Sequence, residues 1–282
     1  MAWSTYGISG VLAIVRDRMG LSVIKLGGSL LTDKSKPYTM RKEKFREIAR
    51  ELKESMDEMI IVHGVGSYGH PPVKEYKLYR GYTGKENLLN LAKTQSIVFE
   101  LRLEFVRALQ EEGINAMIFL PSSQIVAEGM KIKKICIEPI KRFLEMGMTP
   151  VFGGDIVVDT KMGYSVCSGD LIAAHLASEL NAERLIFATD VDGIYTKDPK
   201  KDKNAKLLKE INLENMDELA KLTGSAFTDV TSGMYGKIET IRKYKNDLKN
   251  TEIVILSMLK EGNLKAYMRN MKDAKYTKIK IK

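Results

Sequence analysis

Short apolar runs of strand length alternate along this chain with longer segments that carry apolar residues at helical spacing. In residues 41–56, for example, Phe45, Ile48 and Leu52 fall on one face of a helix. Strands that alternate with amphipathic helices are typical of parallel sheets covered by helices. The pattern therefore predicts an α/β fold, a sandwich with a mostly parallel central sheet.

The same pattern predicts where the individual elements lie. Strands are expected at residues 21–26, 59–62, 115–120, 149–152, 155–160, 184–189 and 251–256. Helices are expected at residues 41–56, 87–112, 136–146, 171–180 and 234–248, with a hairpin turn at 161–163 and a solvated loop at 197–206. The best internal division falls near residue 180, and it separates two lobes of a single fold, residues 20–180 and 181–282.

Residues 1–19 stand outside this order. Residues 7–15 are mildly apolar, but they lack a preceding basic region and are too short to span a bilayer. We expect residues 1–19 to form an extension, with Met19 as an alternative start, because the first convincing strand begins directly after it. No segment has the length and hydropathy of a transmembrane helix, so we expect a cytoplasmic protein without a membrane partner.

Composition and charge narrow the class of partner. The 282 residues are 44% hydrophobic and 29% charged, as in an ordinary globular protein, and the net charge of +9 favours anionic partners. The lysines are scattered among glutamates, and the few aromatic residues are not interleaved with them, so we expect a solvated surface and no nucleic acid. Cys136 and Cys167 lack neighbouring ligands, which indicates a reducing cytosol with neither a disulfide nor a zinc site.

The segment Val62-His63-Gly64-Val65-Gly66-Ser67-Tyr68-Gly69-His70 continues an apolar run into a glycine-rich turn. Backbone N–H groups can close on an anion only where side chains are absent, so such a turn suits a small anionic ligand. His70 adds a donor that can carry charge near neutral pH, and we expect it to contact the ligand. We expect structural roles for His63, which ends a buried strand, and for His175, inside a predicted helix.

The glycines of this segment also satisfy the dinucleotide fingerprint Gly-x-Gly-x-x-Gly, at Gly64, Gly66 and Gly69. That fingerprint requires an acidic residue at the end of a second strand about 20 residues further on. Residues 79–85 have no strand pattern. We therefore do not expect nicotinamide or flavin binding.

Residues 25–29, Lys25-Leu26-Gly27-Gly28-Ser29, end the first strand with two glycines. Paired glycines let N–H groups approach polyphosphate oxygens, and a helix N-terminus adds partial positive charge. An ordinary turn between strand and helix is the alternative. The Walker A pattern is absent from the chain, so this is not a P-loop enzyme by sequence. Lys34 lies in the short loop of residues 32–36, and by itself this position indicates a solvated lysine.

Three further segments combine charge with turns or helix starts. Ser168-Gly169-Asp170 opens a predicted helix, and a structural explanation for its serine or aspartate is that the side chain caps the helix. Asp190-Val191-Asp192-Gly193 ends a predicted strand, and a tight turn is the structural explanation there. In the segment 231–237, Lys237 lies just inside a helix start, where its charge opposes the helix dipole unless it reaches a phosphate. Together with the two glycine segments, these residues predict a phosphate-transferring enzyme.

In their order and spacing, these segments resemble the amino acid kinase superfamily and, within it, most closely the isopentenyl phosphate kinases. The resemblance runs from about Ser22 to the C-terminus. The matching segments are residues 25–29, 63–70, 154–155, 168–170, 189–195, 198–199 and 229–237. Glycines and aspartates alone would identify only the superfamily. The position of His70 narrows it, because in the phosphate-accepting branch a histidine there contacts the acceptor phosphate.

The resemblance implies an open three-layer αβα sandwich, with an acceptor-binding N-terminal lobe and an ATP-binding C-terminal lobe. The residues that it implies around the ATP phosphates are Lys25, Gly27, Gly28, Ser29 and Gly66, and those on the nucleotide side are Asp190, Gly233 and Lys237. The residues that it implies around isopentenyl phosphate are Val65 through its backbone, His70 and Gly169. In the implied catalytic set, Lys34 stabilises the transferring phosphoryl group and Asp170 orients Lys25 and Lys237.

The implied reaction uses ATP, with Mg²⁺ bridging ATP oxygens, to convert isopentenyl phosphate into isopentenyl diphosphate for isoprenoid synthesis. An acceptor that is already a phosphate is mostly ionised at neutral pH, so it needs no general base. A site of lysines, glycines and one histidine fits that chemistry, and no side chain is expected to be a dedicated metal ligand. The family also implies a homodimer.

Two positions depart from the family pattern. Val65 stands where relatives often carry a small residue, and it would narrow the acceptor loop. Ser232 replaces the first glycine of a usual Thr-Gly-Gly, which is tolerated unless that position needs a positive φ.

The alkyl pocket and the identity of the acceptor leave alternatives open. Residues expected to line the alkyl pocket are Tyr68, Tyr76, Tyr82 and Ile97. A related kinase that phosphorylates another small phosphate, a phosphonate or an acylamino acid is one alternative, and a nucleotide sensor without turnover is another. The joint presence of three lysines and Asp170 favours an active enzyme.

Overall fold

The computed structural model describes residues 20–197, 199, 202–215 and 231–281. The expected N-terminal extension, residues 1–19, and the motif residues Asp198, Asp229 and Val230 lie outside this part of the chain. Among the described helices, none is both long and apolar enough to cross a bilayer.

Two sheets form the framework. The strands are β1 (Ser22–Leu26), β2 (Met59–His63), β3 (Ala116–Ile118), β4 (Ile125–Glu128), β5 (Lys131–Ile135), β6 (Thr149–Gly153), β7 (Asp155–Asp159), β8 (Gly163–Cys167), β9 (Arg184–Thr189), β10 (Glu210–Asn212), β11 (Glu252–Ser257) and β12 (Tyr276–Lys280). The main sheet has the order β10-β12-β11-β9-β1-β2-β6-β3. Its strands from β3 to β11 are parallel, and β12 runs antiparallel to β11.

Helices cover both faces of the main sheet. The helices are α1 (Gly28–Leu31), α2 (Lys42–Ser55), α3 (Gly66–Glu75), α4 (Leu88–Glu111), α5 (Pro121–Gln124), α6 (Ile137–Glu145), α7 (Gly169–Glu179), α8 (Thr231–Lys243) and α9 (Asn263–Met268). Neighbouring residues of β1 face opposite ways: Val23 joins a core with residues of α6, α7 and α8, whereas Ile24 joins one with residues of α2, α4 and α9. The three-layer αβα sandwich with a mostly parallel sheet is thereby confirmed.

A smaller, four-stranded sheet has the order β5-β4-β7-β8. The expected hairpin turn at residues 161–163 is confirmed, because β7 and β8 pair antiparallel up to Asp159 and Gly163. The carboxylate of Asp159 accepts N–H groups from Gly129, Met130 and Lys161, so it joins the two hairpins of this sheet. The β4–β5 hairpin was not predicted, because a single charged, mostly exposed strand (Lys131–Ile135) carries little apolar signal.

Most element boundaries lie within a few residues of the predictions. The strand expected at residues 115–120 is only Ala116–Ile118, and the helix expected at residues 234–248 begins earlier, at Thr231, and ends at Lys243. The division near residue 180 remains a prediction; it falls between α7 and β9, and β9 pairs with both β1 and β11.

Candidate active site

A cavity of about 310 Å³ opens where the carboxyl ends of β1, β2, β6 and β9 meet. Gly27, Gly64, Gly154 and Thr189, at or just beyond those strand ends, all line it. Open parallel sheets bind ligands at this edge because loops and helix N-termini converge there.

Most of the predicted site residues share this cavity. Those that line it are Lys25, Gly27, Gly28, Ser29, Lys34, Val65, Gly66, His70, Gly169, Asp170 and Lys237. Asp190 is not among the lining residues, although its neighbours Thr189 and Val191 are, and Gly233 precedes the lining residue Met234 in α8. The nucleotide contacts of Asp190 and Gly233 therefore stay predictions.

Lys25 and Lys237 converge on the carboxylate of Asp170. Lys25 Nζ lies 2.8 Å from Asp170 Oδ1, and Lys237 Nζ lies 3.5 Å from Asp170 Oδ2. Burial by itself would raise the pKa of Asp170, but the positive charges of the two lysines outweigh it and hold that pKa below its usual value. Asp170 is therefore ionised at neutral pH and can hold both ammonium groups in place.

Lys237 occupies a place that disfavours its own charge. Burial first, and then the charge of Lys25, lower the pKa of Lys237 from 10.5 to about 8. Negative charge from a ligand would act in the opposite direction. The expected position of Lys237 at a helix start was wrong, because α8 already begins at Thr231 and Lys237 lies beyond its first turn, where the helix dipole acts little. The low pKa of Lys237 instead reflects a buried, electropositive site that suits an anion.

Glycine contacts fix the two predicted loops against each other. A Cβ atom on Gly28 would lie 2.5 Å from Gly66 N, and one on Gly64 would lie 2.6 Å from Gly28 N. Gly66 also has a φ of 47°, a left-handed conformation that favours glycine. Side chains at these positions would separate the backbones that form the cavity floor.

Helix N-termini supply further donors to the cavity. Gly28, Gly66 and Gly169 are the first residues of α1, α3 and α7, and the first N–H groups of a helix have no partner within it. The structural explanation for Ser168 is confirmed, since its hydroxyl caps α7 by accepting the N–H of Leu171 at 3.2 Å. The same turn carries Asp170 into the cavity.

The segment before His70 is a helix, and the expectation of a glycine turn as far as His70 was wrong. Helix α3 begins at Gly66 and continues past His70 through Pro71 and Pro72. Desolvation and then the charges of Lys25 and Lys34 lower the pKa of His70 below its ordinary value, which favours the neutral imidazole.

The other two histidines are structural, as expected. Burial and the charge of Arg102 lower the pKa of His63 to about 3, and its Nε2 accepts a hydrogen bond from Arg102 Nε at 3.3 Å. His175 Nδ1 lies 3.2 Å from the hydroxyl of Tyr244. Both imidazoles serve packing between elements rather than the cavity.

The cavity lining includes apolar side chains other than those predicted for the alkyl pocket. Val73, Val98, Ile156 and Val166 line the cavity, as do the polar residues Thr94 and Gln95. The expected residues Tyr68, Tyr76, Tyr82 and Ile97 are not among the lining residues. Tyr68 instead packs into the core beside α2 and α4, because α3 turns that side of the helix away from the cavity.

A buried ion pair joins Arg102 to the lining residue Asp155. Asp155 belongs to a matching segment of the sequence, whereas no motif indicated Arg102. Arg102 of α4 is fully buried, and its Nη1 lies 3.5 Å from Asp155 Oδ2. The guanidinium also donates from Nη1 to Phe119 O, from Nη2 to Gly154 O and from Nε to His63. Helix α4 is thereby tied to the turn between β6 and β7, whose residues Gly154 and Asp155 line the cavity.

The two departures from the family pattern have different surroundings. Val65 fills space left by two glycines: a Cβ on Gly69 would lie 2.4 Å from Val65 Cγ2, and one on Gly154 would lie 3.1 Å from Val65 Cγ1. Ser232 falls in the first turn of α8.

Comparisons with known proteins agree with this geometry. Residues 20–257 match the model of the amino acid kinase family. The chain is 38% identical over 250 residues to an isopentenyl phosphate kinase of Methanothermobacter thermautotrophicus, covering 86% of this chain and 92% of that protein. It is 36% identical over 239 residues to an isopentenyl phosphate kinase of Methanocaldococcus jannaschii, covering 80% of this chain and 88% of that protein.

The fold also matches solved structures. An X-ray structure of an isopentenyl phosphate kinase superposes with a TM-score of 0.76 at 33% identity, covering 92% of this chain and all of that one. The similarity in fold thus extends over nearly the whole of both chains.

Proposed function

This chain belongs to the amino acid kinase family, and we propose that it is an ATP-dependent kinase that phosphorylates isopentenyl phosphate to isopentenyl diphosphate for isoprenoid synthesis. The observation that carries the substrate is the mixed lining of the cavity. Lys25 and Lys237 line it together with glycines and with apolar residues such as Val73 and Val98. A short alkyl monophosphate combines an anionic end with an apolar end, and such a lining offers partners for both.

The proposed chemistry is an in-line transfer between phosphates. An oxygen of the acceptor phosphate bonds to the γ-phosphorus of ATP, the bond from that phosphorus to the β,γ-bridging oxygen breaks, and ADP leaves. The second pKa of a phosphate monoester is about 6, so the acceptor is mostly dianionic at neutral pH and needs no base. Positioning and charge stabilisation are then what the protein must supply.

Each predicted residue has a role in this scheme. Lys25 and Lys237, held by Asp170, face the ATP phosphates together with Gly27 and the N–H groups of Gly28, Ser29 and Gly66. Lys34 stabilises the phosphoryl group in transit, and His70, Gly169 and the backbone of Val65 hold the acceptor phosphate. Asp190 and Gly233 belong to the nucleotide side. The cavity contacts and the charge distribution support these assignments.

Mg²⁺ is proposed to enter with ATP. Within the described residues, no group of three or more histidine, cysteine, aspartate or glutamate side chains is arranged to hold a metal. The donors around the cavity are N–H and ammonium groups, which suit phosphate oxygens rather than a cation. Mg²⁺ binds readily through nucleotide phosphates and water, and it would neutralise phosphate charge there.

Three broader assignments complete the proposal. Cys136 and Cys167 are both free thiols, in keeping with action in the reducing cytoplasm. Surface cations paired with carboxylates, such as Lys42 with Glu104, favour a small-molecule kinase without a nucleic-acid or membrane partner. A homodimer is expected from the family resemblance, and light scattering would report twice the chain mass.

A panel of acceptors tests the proposed function. ADP release is measured with Mg-ATP and isopentenyl phosphate, fosfomycin, N-acetylglutamate, glutamate, aspartate or UMP, each against an acceptor-free blank. We expect strong turnover with isopentenyl phosphate alone. Turnover with another acceptor instead would retain the kinase and reject the substrate. ATP binding without turnover on any acceptor would reject the enzyme in favour of a nucleotide sensor.

A further inference from the structure

Lys34 is carried by a tight hairpin at the edge of the cavity. This Lys34 hairpin, residues 32–40, is closed by a β-bridge between Thr32 and Met40 and by the bond from Asp33 N–H to Thr39 O. Asp33 also accepts the N–H and the hydroxyl of Ser35. The tip of the hairpin is exposed, so the position of Lys34 depends on where the base of the hairpin is fixed.

The hairpin is fixed to helix α3 through both backbone groups of Ser67. The N–H of Ser67 donates to Thr32 Oγ1 at 3.0 Å, and the carbonyl of Ser67 accepts the N–H of Tyr38 at 3.2 Å. The hydroxyl of Thr32 donates in turn to Gly28 O at 2.8 Å. Thr32 is fully buried, and its single hydroxyl therefore joins the Lys34 hairpin to both glycine segments of the cavity.

The carbonyl of Ser67 is open to the hairpin because of Pro71. In a regular helix this carbonyl would accept the N–H of the residue four positions later, which is Pro71. Proline has no N–H, so α3 leaves the carbonyl to Tyr38. Pro71 directly follows His70, the expected contact to the acceptor. The point where the hairpin docks on α3 therefore lies beside the acceptor end of the cavity.

Tyr38 reaches Ser67 in an unfavourable conformation. Its φ is 54°, a left-handed value that is uncommon for a residue with a side chain. Its ring packs edge-on against Tyr68 of α3, with 6.0 Å between the ring centroids. A strained residue persists where its surroundings hold it, and here those surroundings are α3 itself.

From this arrangement we propose that Thr32 and Pro71 are positioning residues for phosphoryl transfer. They dock the Lys34 hairpin on Ser67 and so hold Lys34 at a fixed place relative to the acceptor end of the cavity. The proposal rests on the proposed role of Lys34. It adds two residues that touch neither substrate and act through the backbone of α3.

Thr32→Val tests the docking, because valine keeps the shape of threonine and removes the hydroxyl. Small misplacements of catalytic groups are costly, so we expect kcat to fall about 10- to 100-fold. The KM for ATP should change little, because Gly28 O retains the N–H of Thr32 at 2.9 Å. Thr32→Ser restores a hydroxyl and should restore most of kcat.

A matched control lies in the same hairpin. Thr39→Val also removes a threonine hydroxyl, but among the described residues that hydroxyl donates only to Pro37 O, within the hairpin and at its exposed surface. The kcat of Thr39→Val should equal that of the native chain. Equal losses from Thr32→Val and Thr39→Val would overturn the proposal.

The proline provides a second, independent test that leaves the hydroxyl in place. Pro71→Ala adds an N–H that competes with Tyr38 for Ser67 O, and it should lower kcat in the same direction as Thr32→Val. Pro72→Ala is the control, because its new N–H faces the carbonyl of Tyr68, four residues earlier, and leaves Ser67 untouched. An unchanged kcat in Pro71→Ala, or an equal loss in Pro72→Ala, would contradict the docking role.

Hydrogen exchange tests whether the Lys34 hairpin is docked on Ser67, and it does not rely on turnover. In Thr32→Val and Pro71→Ala, the amides of residues 33–40 should exchange faster than in the native chain, with no change for residues in β9 or β11. A loss of kcat with unchanged hairpin exchange, or faster exchange with native kcat, would overturn the proposal.

Lys34→Ala separates this proposal from the proposed function. Native turnover in Lys34→Ala would remove the role of Lys34 and the proposal with it, while the native chain's activity on isopentenyl phosphate would stand. If the native chain phosphorylates a different acceptor, the substrate assignment fails. The ratios among the Thr32 and Pro71 variants, measured with that acceptor, then decide the proposal.

Discussion

Single residues set the charge of the cavity, and the ion pairs of Asp170 are the clearest case. Lys25 comes from β1, Asp170 from α7 and Lys237 from α8, so the cluster forms only when the chain is folded. The sequence could indicate these residues because each lies in a motif with unusual charge or glycine content. It could not indicate Arg102 or Thr32, whose roles come from burial and from partners distant in the chain.

The lowered pKa of Lys237 predicts how ATP use depends on pH. In the free enzyme Lys237 loses its proton as the pH rises through about 8, and the site then loses a charge that ATP needs. Because kcat/KM reports the free enzyme, kcat/KM for ATP should fall above about pH 8. Steady-state rates between about pH 6.5 and about pH 9.5 measure this fall. A lysine with the usual pKa of about 10.4 would keep most of its charge over this range, and kcat/KM would then fall only at higher pH.

Lys237→Arg is the control for that profile. Arginine stays protonated at all these pH values, so the alkaline fall should move beyond the measured range even if the overall rate is lower. A native profile that stays flat to about pH 9.5, or an unchanged fall in Lys237→Arg, would show that another group titrates.

Substitutions of His70 and of Lys34 should change different kinetic constants. His70→Ala removes a contact to the acceptor phosphate and should raise the KM for isopentenyl phosphate, whereas Lys34→Ala removes charge stabilisation in transit and should lower kcat. Initial rates over a range of acceptor concentrations at saturating ATP separate the two effects. Small, equal effects from both substitutions would reject the site assignment.

At the scale of elements, the cavity depends on two glycine segments that touch. Gly28→Ala would place a Cβ 2.5 Å from the backbone nitrogen of Gly66, and no side-chain motion can relieve that contact. The loop after β1 and the start of α3 must therefore move apart. We expect the variant to lose most of its activity toward both substrates, measured as kcat/KM for each.

Gly236→Ala is the matched control for this prediction. Gly236 lies inside α8, next to Lys237, and a Cβ there would meet nothing within 4 Å. Alanine in a helix interior is more stable than glycine by about 0.5–1 kcal/mol, so stability should rise while activity is retained. An active Gly28→Ala, or an inactive Gly236→Ala, would contradict the account of these contacts.

The Arg102–Asp155 pair predicts a second element-scale effect. Arg102→Met would leave Asp155 buried without its partner, and breaking a buried pair from one side typically costs about 3–5 kcal/mol. Burial already raises the pKa of Asp155, despite the nearby guanidinium. Denaturant unfolding of the variant measures the loss, which should lie within that range.

Arg142→Met is the comparison for stability. Arg142 pairs with Glu138 at 2.8 Å and Glu145 at 3.1 Å on the exposed face of α6, where solvent screens both pairs, so its replacement should leave the free energy of unfolding nearly unchanged. A loss below about 1 kcal/mol in Arg102→Met would mean that the buried pair does not secure α4.

Element boundaries were predictable where local patterns were strong. The periodicity of α2 located it within about one residue at each end. Helix α3 was missed because its two prolines and two glycines are typical of a turn. Its helical geometry depends on tertiary partners, including the Tyr38 bond to Ser67, and such partners leave no local signal.

At the scale of the whole molecule, the alternation of strands and helices predicted the three layers but not the order of the strands. Strand β9 lies between β1 and β11, although residues 184–189 are far from residues 22–26 in the chain. Pairing of this kind is decided by long-range packing. The same order brings the N-terminal glycine segments against Asp170 and Lys237, and so makes one cavity from distant motifs.

The most direct test of the account follows the phosphorus atoms themselves. Phosphorus NMR of the native chain with Mg-ATP and isopentenyl phosphate should show the monophosphate signal replaced by two coupled diphosphate signals, in step with conversion of ATP to ADP. Lys34→Ala in the same experiment should give the same product more slowly. Release of inorganic phosphate from ATP, with the isopentenyl phosphate signal unchanged, would contradict the proposed transfer.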